Sequence, residues 1–520
     1  MGVRRLRREE LAYYAQLANW NLGEAEVDEY LTLSEAMFDT IDLLDAAPAP
    51  PPARVEAKRD PGRPPLPGED PYNAVIRWCD VKARSTGKLA GKRFALKDNV
   101  AVAGVPLTFG ANVIQPYICE ADSIVTERLL NAGAEIVAKL NLESFAWSGG
   151  GETSGFGAIL NPFDTTRTAA GSSGGSAAAL FYDGIDITIG TDQGGSIRGP
   201  ASWCGVLGLK PTHSLVPYVG IGGMDGMYDH AGPLTLTVED MALTMDVIAG
   251  KHPDDFRQDV VPKLRFAEAV GSAPERMDGI TIGVLKEGFV WADLPGAPEG
   301  TRETQDAVLA AVERMRVLGA TVREVSVPGH LTGTAMMFFA LMMGNTTLLR
   351  DNGVYYHARG ARQSPELAVA LGKGLRTHGD HLPPTLKLTA MIGEYMKDHY
   401  FGAHYAKAMN MAPAHRAQYD AALADCDFLV MPTTTHYAHE AKPDASISEQ
   451  VLRGWSMLGN TAPLNASGHP SLSMPAAEAN GLPVGVQVIG KTFGDADVLR
   501  FARIYEKNHP WLPQRAPGSS

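Results

Sequence analysis

The spacing of hydrophobic and polar positions divides the chain into three parts. Residues 1–45 place apolar side chains every three or four positions with charges between them, and this pattern predicts amphipathic helices. Residues 46–71 are rich in proline and polar residues, which predicts an extended linker. From residue 72 to residue 520, short apolar runs alternate with helical periodicity, and this part is expected to form the main body.

The main body has the pattern of an α/β protein. A largely helical stretch covers about residues 300–425, and strand patterns return after it. The strand-like runs are RFALKDNVAV, EIVAKL, IDITIGTD, DFLVMP and PVGVQVIG, and the clearest helical ones are SIVTERLLNAGA and DADVLRFARIYEK. Alternation of this kind predicts a sheet that is covered by helices.

Composition excludes several classes of protein. The chain has 45% hydrophobic and 20% charged residues, as globular proteins do, and 46 basic against 59 acidic residues give a net charge of −13. An acidic chain has no general attraction for nucleic acid or anionic membranes, so neither is expected as a partner. No apolar run is long enough to span a membrane, no apolar segment follows the N-terminal arginines, and the four cysteines are scattered. We therefore expect a cytoplasmic protein.

Two clusters of glycine and serine carry the most unusual local sequence, within residues 169–205. The first cluster comprises Gly171, Ser172, Ser173, Gly174 and Gly175, and the second comprises Gly194, Gly195 and Ser196. Glycines beside a serine let the backbone approach a substrate and aim its N–H groups at one point, as an oxyanion hole requires. The alternative interpretation is a pair of glycine turns whose serines cap the following helices.

A nucleophilic serine needs a base, and Lys97 is a candidate. None of the 14 histidines lies in a recognisable catalytic pattern, although catalytic groups meet in space rather than in sequence. Lys97 ends an apolar strand-like run, where desolvation would favour the neutral amine that can accept a proton. The alternative is an ordinary lysine whose stem lies along Phe94 and Leu96 while its charge stays in solvent.

Three of these segments together resemble the amidase signature family: ALKDN, GSSGGSAAAL and GTDQGGSIRGPASWCGVLGLKPTHSLVP, in the family's order and spacing. The resemblance covers about residues 72–508 and includes the C-terminal segment NTAPLNASGHPSLSMPA. It implies an α/β amidase-signature fold, with a central mixed, twisted sheet covered by helices on both faces, over residues 72–520. Within the family, the chain is similar to bacterial amidases that carry an N-terminal α-helical domain, here residues 1–45, and to metagenomic urethanases.

The resemblance assigns roles to individual residues. Lys97 is the base, Ser172 the bridging serine and Ser196 the nucleophile. The oxyanion hole is assigned to the backbone amides of Gln193, Gly194, Gly195 and Ser196. Ser173, Asp192 and Arg198 are assigned to structural support, with the alternative that Arg198 binds a substrate carboxylate. The family's chemistry needs no metal and no cofactor.

The implied reaction is hydrolysis of C–N bonds in carboxylic amides through an acyl-enzyme. Aryl or alkyl amides are the expected small-molecule substrates, with carbamates (urethanes) and esters as further candidates. The methionine-rich stretch 333–345 and the glycine-methionine stretch 220–230 are candidate pocket walls. A homodimer through the N-terminal helices is a candidate assembly. Two alternatives stay open: the catalytic chain of a tRNA-dependent amidotransferase, and a non-catalytic binding protein on the same fold.

Overall fold

The computed structural model describes residues 3–114, 117–353 and 362–510. The chain forms two compact units, Met1–Ala53 and Arg54–Ser520. The first unit contains the helices α1 (Arg8–Leu17) and α2 (Glu24–Ala46), which lie in the segment where the sequence predicts helices. The Arg5 guanidinium forms ion pairs with three carboxylates of α2, which fixes the start of the chain on that helix.

In its described residues, the second unit is built on twelve strands in one sheet and a separate two-stranded hairpin. The strands are β1 (Lys58–Arg63), β2 (Val75–Lys82), β3 (Arg93–Lys97), β4 (Glu135–Leu140), β5 (Leu160–Asn161), β6 (Asp164–Thr168), β7 (Ile187–Asp192), β8 (Leu207–Lys210), β9 (His230–Thr235), β10 (Thr281–Leu285), β11 (Thr321–Val325), β12 (Phe428–Pro432), β13 (Ser471–Ala479) and β14 (Leu482–Ile489).

Thirteen α-helices surround the sheet in the described part of this unit. They are α3 (Ile124–Asn131), α4 (Gly174–Ala178), α5 (Arg198–Trp203), α6 (Val238–Ile248), α7 (Phe266–Gly271), α8 (Thr301–Val317), α9 (His330–Arg350), α10 (Pro365–His378), α11 (Pro384–Tyr400), α12 (Ala403–Ala424), α13 (Ile447–Trp455), α14 (Ala462–Ser467) and α15 (Asp495–Asn508). Within the described ranges, every helix is too short or too polar to span a membrane.

The large sheet is mixed, as the family resemblance implies. Its order is β1-β2-β4-β3-β7-β9-β8-β13-β14-β12-β10-β11, and β5 pairs with β6. The neighbours β4, β3 and β7 run parallel, as do β11, β10 and β12, and the other pairs are antiparallel. Parallel neighbours bring their carboxyl ends to one edge of a sheet, and this edge positions the site described below.

Both faces of the sheet are covered. Every residue of β7 and of β14 is buried, the pattern of a strand that packs on two sides. On one side of β14, Val486 and Val488 join the core that contains Val308 of α8. On the other side, Gly485 donates its N–H to Ser202 of α5 at 2.9 Å. The predicted covered sheet is therefore confirmed.

One strand lies in the proline-rich stretch 46–71, where the sequence analysis expects an extended linker. β1 pairs antiparallel with β2 at the end of the sheet, with a register shift between Asp60 and Arg63. Pro61 and Gly62 sit inside that shift, and Gly62 has a positive φ of 62°. Edge strands and bulges are the sites where a sheet tolerates proline, because no ladder hydrogen bond is lost there.

Candidate functional site

Lys97 lies at the carboxyl edge of the parallel strands, facing Ser172. It is the last residue of β3, whose parallel neighbour β7 ends at Asp192. The side chain is fully buried, and its Nζ lies 2.6 Å from Ser172 Oγ and 2.9 Å from Thr191 Oγ1. Burial holds the pKa of Lys97 well below its usual value, although the charges of Asp192 and Glu143 oppose this shift. Burial thus favours the neutral, proton-accepting form of this amine.

Backbone hydrogen bonds join the two glycine-serine clusters. Ser173 N–H donates to the carbonyl of Ser196 at 3.1 Å, so the residue after Ser172 is tied directly to the predicted nucleophile. The hydroxyl of Ser173 donates to the Thr191 carbonyl at 3.1 Å, which makes it a loop-stabilising contact. Ser196 itself is only 6% exposed. Lys97, Ser172 and Ser196 are therefore brought into one buried region from segments that are distant in sequence.

The Asp192 carboxylate braces the loop that carries Ser196. It accepts hydrogen bonds from the N–H groups of Gly195 at 2.8 Å and Ile197 at 3.1 Å. Thr461 Oγ1 donates to the carbonyl of Gly194 at 2.7 Å, so the peptide between Gly194 and Gly195 is held at both ends. This geometry corrects one prediction: the Gly195 N–H points at a carboxylate and is therefore not available to an oxyanion.

The other three predicted oxyanion donors differ from Gly195. In the described part of the chain, the backbone N–H groups of Gln193, Gly194 and Ser196 have no protein acceptor. The side chain of Gln193 is fixed, because its Nε2 donates to Tyr218 Oη at 2.7 Å and to Asp229 Oδ1 at 3.0 Å. Three amides are thus left beside Ser196 for a charged oxygen to accept from.

Arg198 is a structural residue in this geometry. It is fully buried, and its Nε and Nη2 donate to Asp192 at 3.0 and 2.9 Å. Its remaining hydrogens are taken by Thr461, Ser471, Gln487 and Asn465. Burial alone would raise the pKa of Asp192, but the Arg198 guanidinium holds it below its ordinary range. With every donor engaged, Arg198 is not free to bind a substrate carboxylate.

Three aromatic rings cluster beside this region. The ring centroids of Trp147 and Phe338 are 6.0 Å apart, and those of Phe338 and Trp455 are 4.7 Å apart. Met337 of α9 packs on the second glycine-serine cluster, since a Cβ on Gly194 would lie 2.8 Å from Met337 Cε. Met224, from the stretch 220–230, belongs to the same apolar cluster as Met337 and Trp147. Both stretches that the sequence singles out therefore contribute to one apolar region.

Four polar residues of this region were missed by the sequence analysis. They are Glu143, Thr191, Thr461 and Asn465. Thr461 and Asn465 belong to the NTAPLNASGHPS segment that carries part of the family resemblance. That segment indicates that they matter but not what they do. Thr191 lies in the segment that begins GTDQGGS, which carries part of the resemblance but assigns this residue no role. Glu143 follows an apolar strand like many ordinary polar residues, and nothing local distinguishes it.

Comparisons with known proteins concern the family of this chain. The family model described as Amidase matches residues 77–499. A glutamyl-tRNA(Gln) amidotransferase subunit from Synechococcus sp. (strain JA-3-3Ab) is 37% identical over 83% of this chain and 81% of its own length. An enantioselective amidase from Rhodococcus rhodochrous is 35% identical over 87% of each chain.

A solved structure supports the fold directly. The corresponding glutamyl-tRNA(Gln) amidotransferase subunit from Thermotoga maritima superposes with a TM-score of 0.67 at 29% identity, over 86% of this chain and 90% of that one. The family match covers most of the chain, and it includes both glycine-serine clusters and Lys97. The chain therefore belongs to the amidase family.

Proposed function

We propose that this protein hydrolyses carboxylic amides through an acyl-enzyme on Ser196, with Ser172 as the bridging group and Lys97 as the base. The observation that carries the proposal is the buried contact of 2.6 Å between Lys97 Nζ and Ser172 Oγ, next to a loop with three unengaged amides. A buried lysine without a carboxylate partner is costly to a fold, and proton transfer gives it a purpose.

The proposed reaction begins with two proton transfers. Neutral Lys97 takes the proton of Ser172, which takes the proton of Ser196 as its oxygen attacks the substrate carbonyl. The resulting oxyanion accepts hydrogen bonds from the amides of Gln193, Gly194 and Ser196. The proton returns along the same path to the leaving nitrogen, so the C–N bond breaks and an ester with Ser196 forms. Water then attacks that ester, with the same groups as acid and base.

Aryl and alkyl amides are the substrates that the surroundings favour. Each ring of the aromatic cluster lies one or two residues from a position that is linked to the glycine-serine clusters. Trp147 lies two residues before Gly149, whose carbonyl accepts the N–H of Gly171 at 2.6 Å, and Phe338 follows Met337. Trp455 follows Gly454, whose carbonyl accepts the N–H of Gly149 at 2.7 Å. An aromatic or long alkyl group near Ser196 would meet these rings, and carbamates and esters of the same shape are further candidates.

A fluorophosphonate probe tests the nucleophile. We expect one adduct per chain, located on Ser196 by peptide mass spectrometry, and neither adduct nor hydrolysis in Ser196→Ala. Ser176→Ala is the matched control, because Ser176 is also a buried serine and its hydroxyl donates to the Ile189 carbonyl. Hydrolysis that survives in Ser196→Ala at the wild-type rate would overturn the mechanism.

A panel of an anilide, an aliphatic amide, an aryl carbamate and an ester, measured on one purified sample, tests the substrate class. We expect the highest kcat/KM on amides with an aromatic group. Trp455→Ala should lower kcat/KM for the anilide more than for the aliphatic amide, because it removes part of the aromatic surface. Equal losses on both substrates would refute an aromatic pocket at this place.

A second candidate function is that of the catalytic chain in an amidotransferase complex, which the 37% identity to a glutamyl-tRNA(Gln) amidotransferase subunit favours. That function would make activity depend on partner chains. Hydrolysis of a simple amide by the isolated chain would argue for the free-standing enzyme. No turnover on any amide, combined with intact labelling of Ser196, would argue for the amidotransferase.

A further inference from the structure

Glu143 is a buried carboxylate at the same sheet edge as Lys97. It lies three residues beyond the end of β4, which pairs in parallel with β3 so that Leu140 is opposite Lys97. The side chain is fully buried. Its carboxylate accepts hydrogen bonds from the N–H groups of Glu152 at 3.0 Å and Thr153 at 2.9 Å, and further ones from Gly151 N–H and the Thr153 hydroxyl. Four donors in one loop thus converge on this group.

The other side of Glu143 packs on the bridging serine. Its own N–H donates to the Ser172 carbonyl at 3.2 Å. A Cβ on Gly171 would lie 2.5 Å from Glu143 Cγ and 3.0 Å from its Oε1, so the side chain fits only against a glycine. The carboxylate is therefore in contact with the peptide that carries the hydroxyl nearest to Lys97.

The charge of Glu143 is not neutralised by a direct partner. The charged groups around it are Lys97 on β3, Asp192 on β7 and Glu152 in the adjoining loop. Asp192 is paired with Arg198 at 2.9 Å, and Glu152 with Arg453 at 2.9 Å and with His439 at 3.6 Å. Glu143 takes part in no ion pair among the described residues. When Lys97 becomes an ammonium, Glu143 is thus the neighbouring carboxylate that no arginine already balances.

We propose that Glu143 is a positioning residue for the proposed hydrolysis: it clamps the loop 151–153 onto the peptide of Ser172 and supplies the negative charge that stabilises protonated Lys97. This inference rests on the proposed function. The chemical reason is that a base in a buried site is effective only if its protonated form is stabilised there.

The position of Glu143 beside Lys97 predicts the direction in which the pH profile of kcat/KM shifts when the carboxylate is removed. Burial raises the pKa of Glu143 to about 7, against the hydrogen bonds of the 151–153 loop. A proton on Lys97 favours the charged carboxylate in return, so the charge that Glu143→Gln removes is the one that faces the ammonium. Removing the charge destabilises the ammonium of Lys97, so the amine stays neutral to lower pH and is a weaker base. The acidic limb of kcat/KM should therefore move to lower pH, and the plateau should fall.

The test is the pH profile of kcat/KM for an anilide with wild type and Glu143→Gln. At the pH where wild type keeps a tenth of its plateau, we expect the variant to keep about threefold more of its own plateau, a shift of half a pH unit. Glu152→Gln is the matched control, since it removes a carboxylate from the same loop that Arg453 already balances. It should lower the rate without moving the limb.

Two further variants keep the test decisive. If Glu143→Gln does not fold, Thr153→Val removes one donor to the carboxylate, which favours its neutral form, and should move the limb in the same direction by less. Glu143→Asp keeps the charge and should leave the limb in place. An unmoved limb in both Glu143→Gln and Thr153→Val, or an equal shift in Glu152→Gln, overturns the role of Glu143. Activity in Ser196→Ala would instead overturn the proposed function itself.

Discussion

Replacing Asp192 by asparagine tests the brace beneath the Ser196 loop. The change keeps the size of the side chain and removes its charge. Asp192 and Arg198 are both fully buried and 2.9 Å apart, and the carboxylate also accepts from the Gly195 and Ile197 amides and from Asn465. An asparagine offers a single acceptor oxygen to these donors, and its NH₂ group faces hydrogen-bond donors. Arg198 would be left as a buried, uncompensated cation.

The expected loss is large. Removing one partner of a buried ion pair costs about 3–5 kcal/mol, a substantial fraction of the roughly 5–15 kcal/mol by which a folded protein is stable. Urea denaturation at pH 7, followed by the fluorescence of the seven tryptophans, measures the free energy of unfolding. Arg198→Met and the double variant complete a double-mutant cycle. The double variant should lose less free energy of unfolding than the sum of the losses in the two single variants.

Two results would refute this reasoning. A loss below about 1 kcal/mol in Asp192→Asn would be typical of a surface ion pair rather than a buried one. Strictly additive losses would mean that the pair is not coupled. The pH dependence is a further check: because the folded pKa of Asp192 is depressed, its stabilising contribution is present above the unfolded pKa of about 3.9 and is lost as the pH falls through the folded pKa. The difference between wild type and Asp192→Asn should therefore stay constant from pH 8 to about pH 5 and shrink under more acidic conditions.

Further predictions concern the site itself. Gly195→Ala should fail to fold or lose activity, because its Cβ would lie 2.2 Å from Thr461 Oγ1 and the glycine φ is +138°; circular dichroism and kcat on an anilide measure this. Gly194→Ala should fold but lose kcat/KM, because the group that its Cβ would clash with is the flexible end of Met337. Adding Met337→Ala should recover part of that loss, and no recovery would refute the contact. Lys97→Arg should lose about 10²–10⁴-fold in kcat at every pH, because a guanidinium stays protonated; an active variant would exclude Lys97 as the base.

The strand edge that holds the site could be predicted from the sequence. Apolar runs ending at Lys97 and Asp192 predict two buried strands, and β3 and β7 end at these residues. Periodicity succeeds there because a strand buried on both faces needs a continuous apolar run. Periodicity fails for β1, because an edge strand pairs on one side only. Such a strand does not need apolar residues, and it can contain proline. Composition therefore misrepresents β1, a strand whose residues are mostly exposed.

The contacts that complete the site could not be predicted, because they join segments far apart in sequence. Thr461 reaches Gly194 and Asn465 reaches Asp192 across more than 260 residues. Each is an ordinary polar residue in its own segment, and only the packing of α14 in the folded chain brings it to the site. The family resemblance located the segment but supplied no partner for either side chain. Motif order can identify reacting groups, whereas bracing groups require the fold.

The two adjacent glycines before Ser196 illustrate why this distinction matters for the chemistry. The sequence interpretation gives both the same purpose, which is to free backbone amides for an oxyanion. In the structure, Gly195 is required by crowding against Thr461 and by its positive φ, and its N–H is engaged by Asp192. Gly194 instead faces Met337 on the apolar side, with its own N–H unengaged among the described residues. A substitution at Gly195 therefore probes the rigidity of the loop, and only one at Gly194 probes the space in which a substrate would be bound.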